Sequence, residues 1–202
     1  MPTNPNAPFG FKCLGQIDGS PPNFGNRNGL IITTNLHKIF TGDVLKPMSA
    51  GYYDVATEVG GGEPVGGVAS WFSWNSTAAQ KIVRQNWWPG NGDAIGDVSV
   101  TFDGNQDNLF LVQCLLGPIT QASVGLNANF NVGGGGQTVG TGNFSSFTLD
   151  DGTLGAGPTL PFRVYRLPVQ TTGAAGSLYV LPGSDPTNAY NQVWATFNNL
   201  VA

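Results

Sequence analysis

Apolar positions recur along this chain with a period of two, in short runs that Gly, Pro, Asn and Asp interrupt. Val98-Ser99-Val100-Thr101-Phe102 alternates strictly, and Tyr53, Val55, Thr57 and Val59 alternate within 52–59. Alternation of this kind marks a strand with one buried face. β-branched or aromatic runs at 29–34, 44–47, 65–74, 81–88, 109–116, 124–130, 161–167, 177–181 and 192–198 read the same way. Thr41-Gly42-Asp43, Pro89-Gly90-Asn91-Gly92 and Asp103-Gly104-Asn105 supply turn chemistry between them. A turn or helical turn is expected at 35–40. About ten strands at short spacing, with one or two helical turns at most, predict an all-β fold, a β-sandwich of jelly-roll-like type.

Two strand-like segments, around Phe110 and Val112 and around Phe162 and Val164, bracket a long excursion rich in Gly, Asn, Ser and Thr. The bracketing strands are expected in the core, and the stretch 133–142 at the surface as a contact loop. At the other end, Pro2, Pro5, Pro8, Pro21 and Pro22 exclude a regular helix. Residues 1–29 therefore read as an extended arm and 30–202 as the sandwich domain. Phe9, Phe11 and Phe24 punctuate the arm as anchors, either in the chain's own core or on a neighbouring subunit.

Composition narrows the class. Charged residues are 10% of the 202, and the net charge is −4, whereas roughly a quarter of an average soluble protein is charged. Lys and Arg concentrate nowhere, so a phosphate-neutralising face for nucleic acid is not expected. No apolar run reaches the length of a membrane span. The start, from Met1 to Pro8, has neither a basic nor an apolar signal region, so synthesis in a cytoplasm without Sec-type export is expected. Cys13 and Cys114 do not make a disulfide framework. Cys114 lies in an apolar run and reads as a small core residue.

Candidates for chemistry are few. His37 is the one histidine; it has no carboxylate beside it in sequence and reads as structural. One His with two distant Cys does not make a metal site, and Asp150-Asp151 reads as a turn rather than a Ca²⁺ site. Asp54, Glu58, Glu63, Asp93, Asp97 and Asp103 could in principle supply a glycosidase pair, yet most stand at turns. The tract from Gly133 to Gly136 lacks the Lys-Ser/Thr of a phosphate-binding loop. Trp87-Trp88, near Asn86, Asn91 and Asp93, has the composition of a sugar-binding face. Consecutive strand residues point to opposite sides, which favours one indole inside and one outside. No catalytic residue and no cofactor follows from the sequence.

Several segments, taken in order, resemble the decoration or cement (minor capsid) proteins of tailed-bacteriophage heads. They are Phe9-Gly10-Phe11 with Gly42-Asp43-Val44-Leu45-Lys46; Gln85-Asn86-Trp87-Trp88-Pro89-Gly90 with Phe110-Leu111-Val112-Gln113; Val124-Gly125-Leu126-Asn127-Ala128-Asn129-Phe130 with Thr148-Leu149-Asp150; and Pro161-Phe162-Arg163-Val164-Tyr165-Arg166-Leu167 with the segment from Val193 to Asn199. The chain departs from that pattern in its proline-rich start and in longer loops around Gly60–Gly62 and 133–142. The resemblance implies a β-sandwich subunit without catalytic residues, assembled as a homotrimer on the outer surface of an icosahedral virion, where it would bridge major-capsid subunits. Phe9, Phe11, Phe24, Trp87, Trp88, Phe144 and Phe147 are the expected contact residues. The alternative expectation is a virion carbohydrate-binding module using Trp87 and Trp88.

Overall fold

A computed structural model describes residues 4–21, 26–57, 63–90, 92–133, 145–172, 177–180 and 184–201. Phe24, Glu58, Asn91, Phe144 and most of the 133–142 excursion lie outside them.

The described residues form sixteen strands and two short 3₁₀ turns, at Ser49–Gly51 and Gln121–Ser123. The first part of the chain supplies β1 (Lys12–Gln16), β2 (Arg27–Ile31), β3 (Ile39–Phe40), β4 (Val44–Pro47), β5 (Tyr53–Val55), β6 (Gly67–Ser76), β7 (Lys81–Gln85), β8 (Trp87–Trp88) and β9 (Val98–Asp103). The second supplies β10 (Asn108–Gln113), β11 (Asn127–Asn131), β12 (Thr148–Gly155), β13 (Phe162–Arg166), β14 (Val169–Thr172), β15 (Ser177–Val180) and β16 (Gln192–Phe197). The fold is an all-β sandwich, as the alternation predicted.

Two six-stranded antiparallel sheets carry it. One runs β1-β10-β16-β13-β11-β12; the other runs β2-β9-β6-β4-β5, with β7 added beside β6. Apart from β1, each sheet comes from a continuous part of the chain, so connections are local rather than alternating between sheets. Each sheet also curls until its flanks meet, through parallel bridges at Leu30–Tyr52 and Cys114–Leu149. The inward residues of both sheets join one apolar core. In β9 the alternation is literal: Val98, Val100 and Phe102 are buried, while Ser99 and Thr101 are partly exposed.

The N-terminal segment is extended over residues 4–11 and packs on its own chain, the first of the two placements expected for its anchors. Its polar and aromatic groups find partners there. The Asn4 amide donates to the Asp185 and Ala189 carbonyls, each at 3.0 Å. Gln113 Nε2 donates to the Pro5 carbonyl at 2.7 Å, and Gln113 Oε1 accepts from the Ala7 N–H at 3.1 Å. Phe11 is 2% exposed. Its ring stacks on Phe162 at 4.2 Å between centroids and meets Phe110 edge-on at 6.1 Å. Residues 12–16 then form the edge strand β1 on β10. Residues 27–29, also expected in the arm, belong to β2.

Gly10 and Gly42 let this segment pass close to the domain. Gly10 has φ 77°, and a Cβ there would collide with the Ser145 side chain and the Gly42 carbonyl. Gly42 has φ 93° and accepts the Phe11 N–H at 2.9 Å. Both positions combine left-handed backbone with close approach, which only glycine tolerates cheaply.

Candidate functional site

The aromatic residues expected to make contacts divide between core and surface. Phe11 is core, as described. Trp88 is fully buried at 0% exposure and meets Trp74 edge-on at 5.1 Å. Phe147 is 4% exposed and stacks on Phe130 at 5.7 Å. These three rings fill the chain's own interior, which corrects their placement on a contact surface. Trp87 is half-buried and lies parallel to Phe40 at 5.9 Å. The two indoles thus do differ in burial, and neither presents an open stacking face as a pair. Phe9 is half-buried and lines a cleft of about 560 Å³ with Cys13, Thr41, Ser70, Asn86 and Asp103.

The carboxylates hold loops. Asp93 accepts from Ser76 Oγ at 2.7 Å and from the Ala78 N–H at 2.9 Å. Asp97 accepts from Tyr52 Oη at 2.9 Å, and Glu63 pairs with Lys46 at 2.6 Å. Asp103 accepts from Ser70 Oγ at 2.9 Å; burial raises its pKa, and the Ser70 bond pulls the other way. Asp151 accepts the Leu116 and Gly117 N–H groups at 2.9 and 2.8 Å, but Asp150 and Asp151 stand within β12 rather than in the turn expected of them, and Asp151 holds the loop that follows β10. Among the described residues no three His, Cys, Asp or Glu side chains are grouped to hold a metal ion.

His37 does have a carboxylate partner, brought from seventeen residues away. Its Nδ1 is 2.9 Å from Asp54 Oδ2 and 3.1 Å from Oδ1. Asp54 also accepts from Asn35 Nδ2 and from the Val55 N–H, each at 2.7 Å. Asn35 Oδ1 in turn accepts the His37 N–H at 2.7 Å. This network pins the loop between β2 and β3 against β5.

Beside it lies a groove of about 380 Å³, lined by Ile32, Leu36, Met48, Tyr52 and the His37–Asp54 pair. Ile32, Leu36 and Met48 are all exposed, Leu36 to 73%. Three large exposed apolar side chains thus surround one concavity. Sequence reading missed it because Leu36 and Met48 sit in irregular connections between strands, where no periodicity assigns a face.

Sequence reading also left Trp71 undivided from its neighbours. Trp71 is 58% exposed, whereas Phe72 and Trp74 are buried. The parity of β6 carried that signal: Trp71 shares its face with Ser73 and Asn75, and Phe72 with Trp74.

The two cysteines are free thiols. Burial, with the Asp103 charge adding to it, pushes Cys13 up to about 11. Burial, with Asp151 adding, pushes Cys114 up to about 12. Comparison of the chain with protein-family models, with curated proteins and with solved structures finds no match.

Proposed function

We propose that this chain is a structural virion protein. It would bind the outer surface of an icosahedral phage head as a homotrimer and stabilise the major-capsid lattice, after synthesis in the host cytoplasm. Its partners would be the major capsid protein and further copies of itself. The ordered segments from Phe9 to Asn199 that resemble head decoration proteins motivate this reading. The observation that carries it is the exposed apolar groove formed by Ile32, Leu36 and Met48, since protein interfaces are built around desolvated apolar anchors. Asp54, Asp93, Asp97, Asp151 and His37 are engaged in holding loops, which suits a scaffold. On a lattice, many copies would turn weak single contacts into tight occupancy.

The test is occupancy on heads lacking this protein, with purified chain added back. Wild type should saturate the heads, and L36D/M48D should lose at least tenfold in occupancy while keeping its unfolding midpoint. Mass photometry of the free chain reads the trimer directly. A chain that stays monomeric at every concentration and never binds heads would remove this function. The alternative carbohydrate module built on Trp87 and Trp88 loses its support, because Trp88 is buried and Trp87 lies against Phe40.

A further inference from the structure

The outer face of the β2-β9-β6-β7 sheet has a chemistry of its own. Register places Asn28, Thr101 and Trp71 in one row across β2, β9 and β6. Leu30, Ser99, Ser73 and Arg84 form the next row across all four strands. The inward neighbours Val98, Val100, Phe72 and Trp74 are buried, so the rows named here all face outward. Trp71 is the one aromatic side chain among the exposed large apolar residues described. Thr101 Oγ1 donates to Asn28 Oδ1 at 3.1 Å, which fixes the amide at the far end of the row that Trp71 begins. Arg84, diagonal to Trp71 on the edge strand β7, has no carboxylate partner within salt-bridge distance among the described residues.

We propose that this face binds an acidic saccharide, with a sugar ring stacked on Trp71 and its carboxylate on Arg84. An exposed indole offers a flat apolar surface to the C–H face of a sugar ring. The Asn28, Ser73, Ser99 and Thr101 side chains supply donors and acceptors for hydroxyl groups. A guanidinium recognises a carboxylate through two parallel hydrogen bonds. The apolar members of this face, Trp71, Leu30 and Ile82, are set apart by the hydroxyls of Thr101, Ser99 and Ser73 and the amide of Asn75, whereas protein interface cores are contiguous and apolar. It also suits a nucleic-acid strand poorly, because Arg84 is the one cation in these rows and phosphate binding needs several.

The site is tested by calorimetric titration of the full chain with hexagalacturonate, 3′-sialyllactose and the neutral maltohexaose. Saturable binding of at least one acidic saccharide is expected, at least tenfold tighter than maltohexaose. W71A should abolish it and W71Y should keep most of it. R84Q should bring the acidic ligand down to the neutral ligand's affinity. Both positions are exposed, and unchanged unfolding midpoints will show that the variants are folded. Binding to none of the three saccharides overturns the proposal, as does equal affinity for neutral and acidic ones, or binding that W71A leaves intact. Sedimentation velocity provides a separate decision: conversion of an oligomer to monomers by W71A would assign the face to a second copy of this chain, and that too overturns it.

Discussion

Asp54 holds His37 with both carboxylate oxygens, at 2.9 and 3.1 Å from Nδ1, but the two partners are unequally placed. The Asp54 side chain is 12% exposed and that of His37 56%. Asp54 also serves Asn35 and the Val55 N–H, so its removal strands buried donors, whereas removal of the imidazole opens a surface contact to water. Asp54→Ala is therefore expected to destabilise by about 2–4 kcal/mol. His37→Ala should cost less than about 1 kcal/mol. Urea unfolding of both variants reads the difference directly. Equal losses would mean that the histidine, not the carboxylate, organises the β2–β3 loop.

Phe11 belongs to the same category of hidden anchor. Its ring sits between Phe162 and Phe110. Phe11→Ala should destabilise by about 3–5 kcal/mol, with Phe11→Leu intermediate. Deletion of residues 1–16 should cost more, since it also strips β1 from the sheet edge. A truncated chain with wild-type stability would show that the N-terminal segment is dispensable to the fold.

These two cases show where the sequence was legible. Strands such as β9 were readable because alternation is local and the inner and outer residues differ in type. For Phe11 the sequence left the chain's own core and a neighbouring subunit both open, because Gly10 and Lys12 flank it without a periodic pattern and its partner Phe162 is distant in the chain. The His37–Asp54 pair was hidden for the same reason, since only the return of β5 past the β2–β3 loop joins them. The curling of each sheet depends on single bridges, Leu30–Tyr52 and Cys114–Leu149, which leave no pattern in composition. Trp71 was the opposite case. Its exposure followed from counting by two along β6, yet a run containing Trp71, Phe72 and Trp74 first reads as uniformly apolar.

The thiols should be inert in the native chain. The nucleophile is the thiolate, and pKa values of about 11 for Cys13 and about 12 for Cys114 leave almost none of it at pH 8. Cys114 is further held by the Gly117 carbonyl and Asn191 Oδ1, both at 2.9 Å. Iodoacetamide at pH 8 should leave both unmodified over minutes and modify both once urea unfolds the chain. Mass spectrometry counts the adducts. Rapid native alkylation of Cys114 would be incompatible with its burial.

Asp43 sets the expected pH dependence of stability. The side chain is 3% exposed where the N-terminal segment crosses the domain, and it accepts the Phe40 N–H at 2.8 Å. Burial raises its pKa to about 7, while hydrogen bonds from Ser145 and the Phe40 N–H pull it down and do not prevail. The unfolded carboxyl ionises near its ordinary value of 3.8. Between that value and about pH 7 the native chain therefore holds a proton that the unfolded chain has lost. More protons bound to the native state means that stability falls as pH rises across this window, and the loss levels off above it. Asn at this position keeps an acceptor for the Phe40 N–H without a charge to bury. Asp43→Asn is expected to flatten the slope between pH 4 and pH 7 and to gain about 1–3 kcal/mol at pH 8. Urea midpoints at pH 5 and pH 8 for wild type and variant decide it. A variant that loses stability equally at both pH values would show that the carboxylate is stabilised where it sits, with its charge accommodated by groups that the Ser145 and Phe40 bonds do not represent.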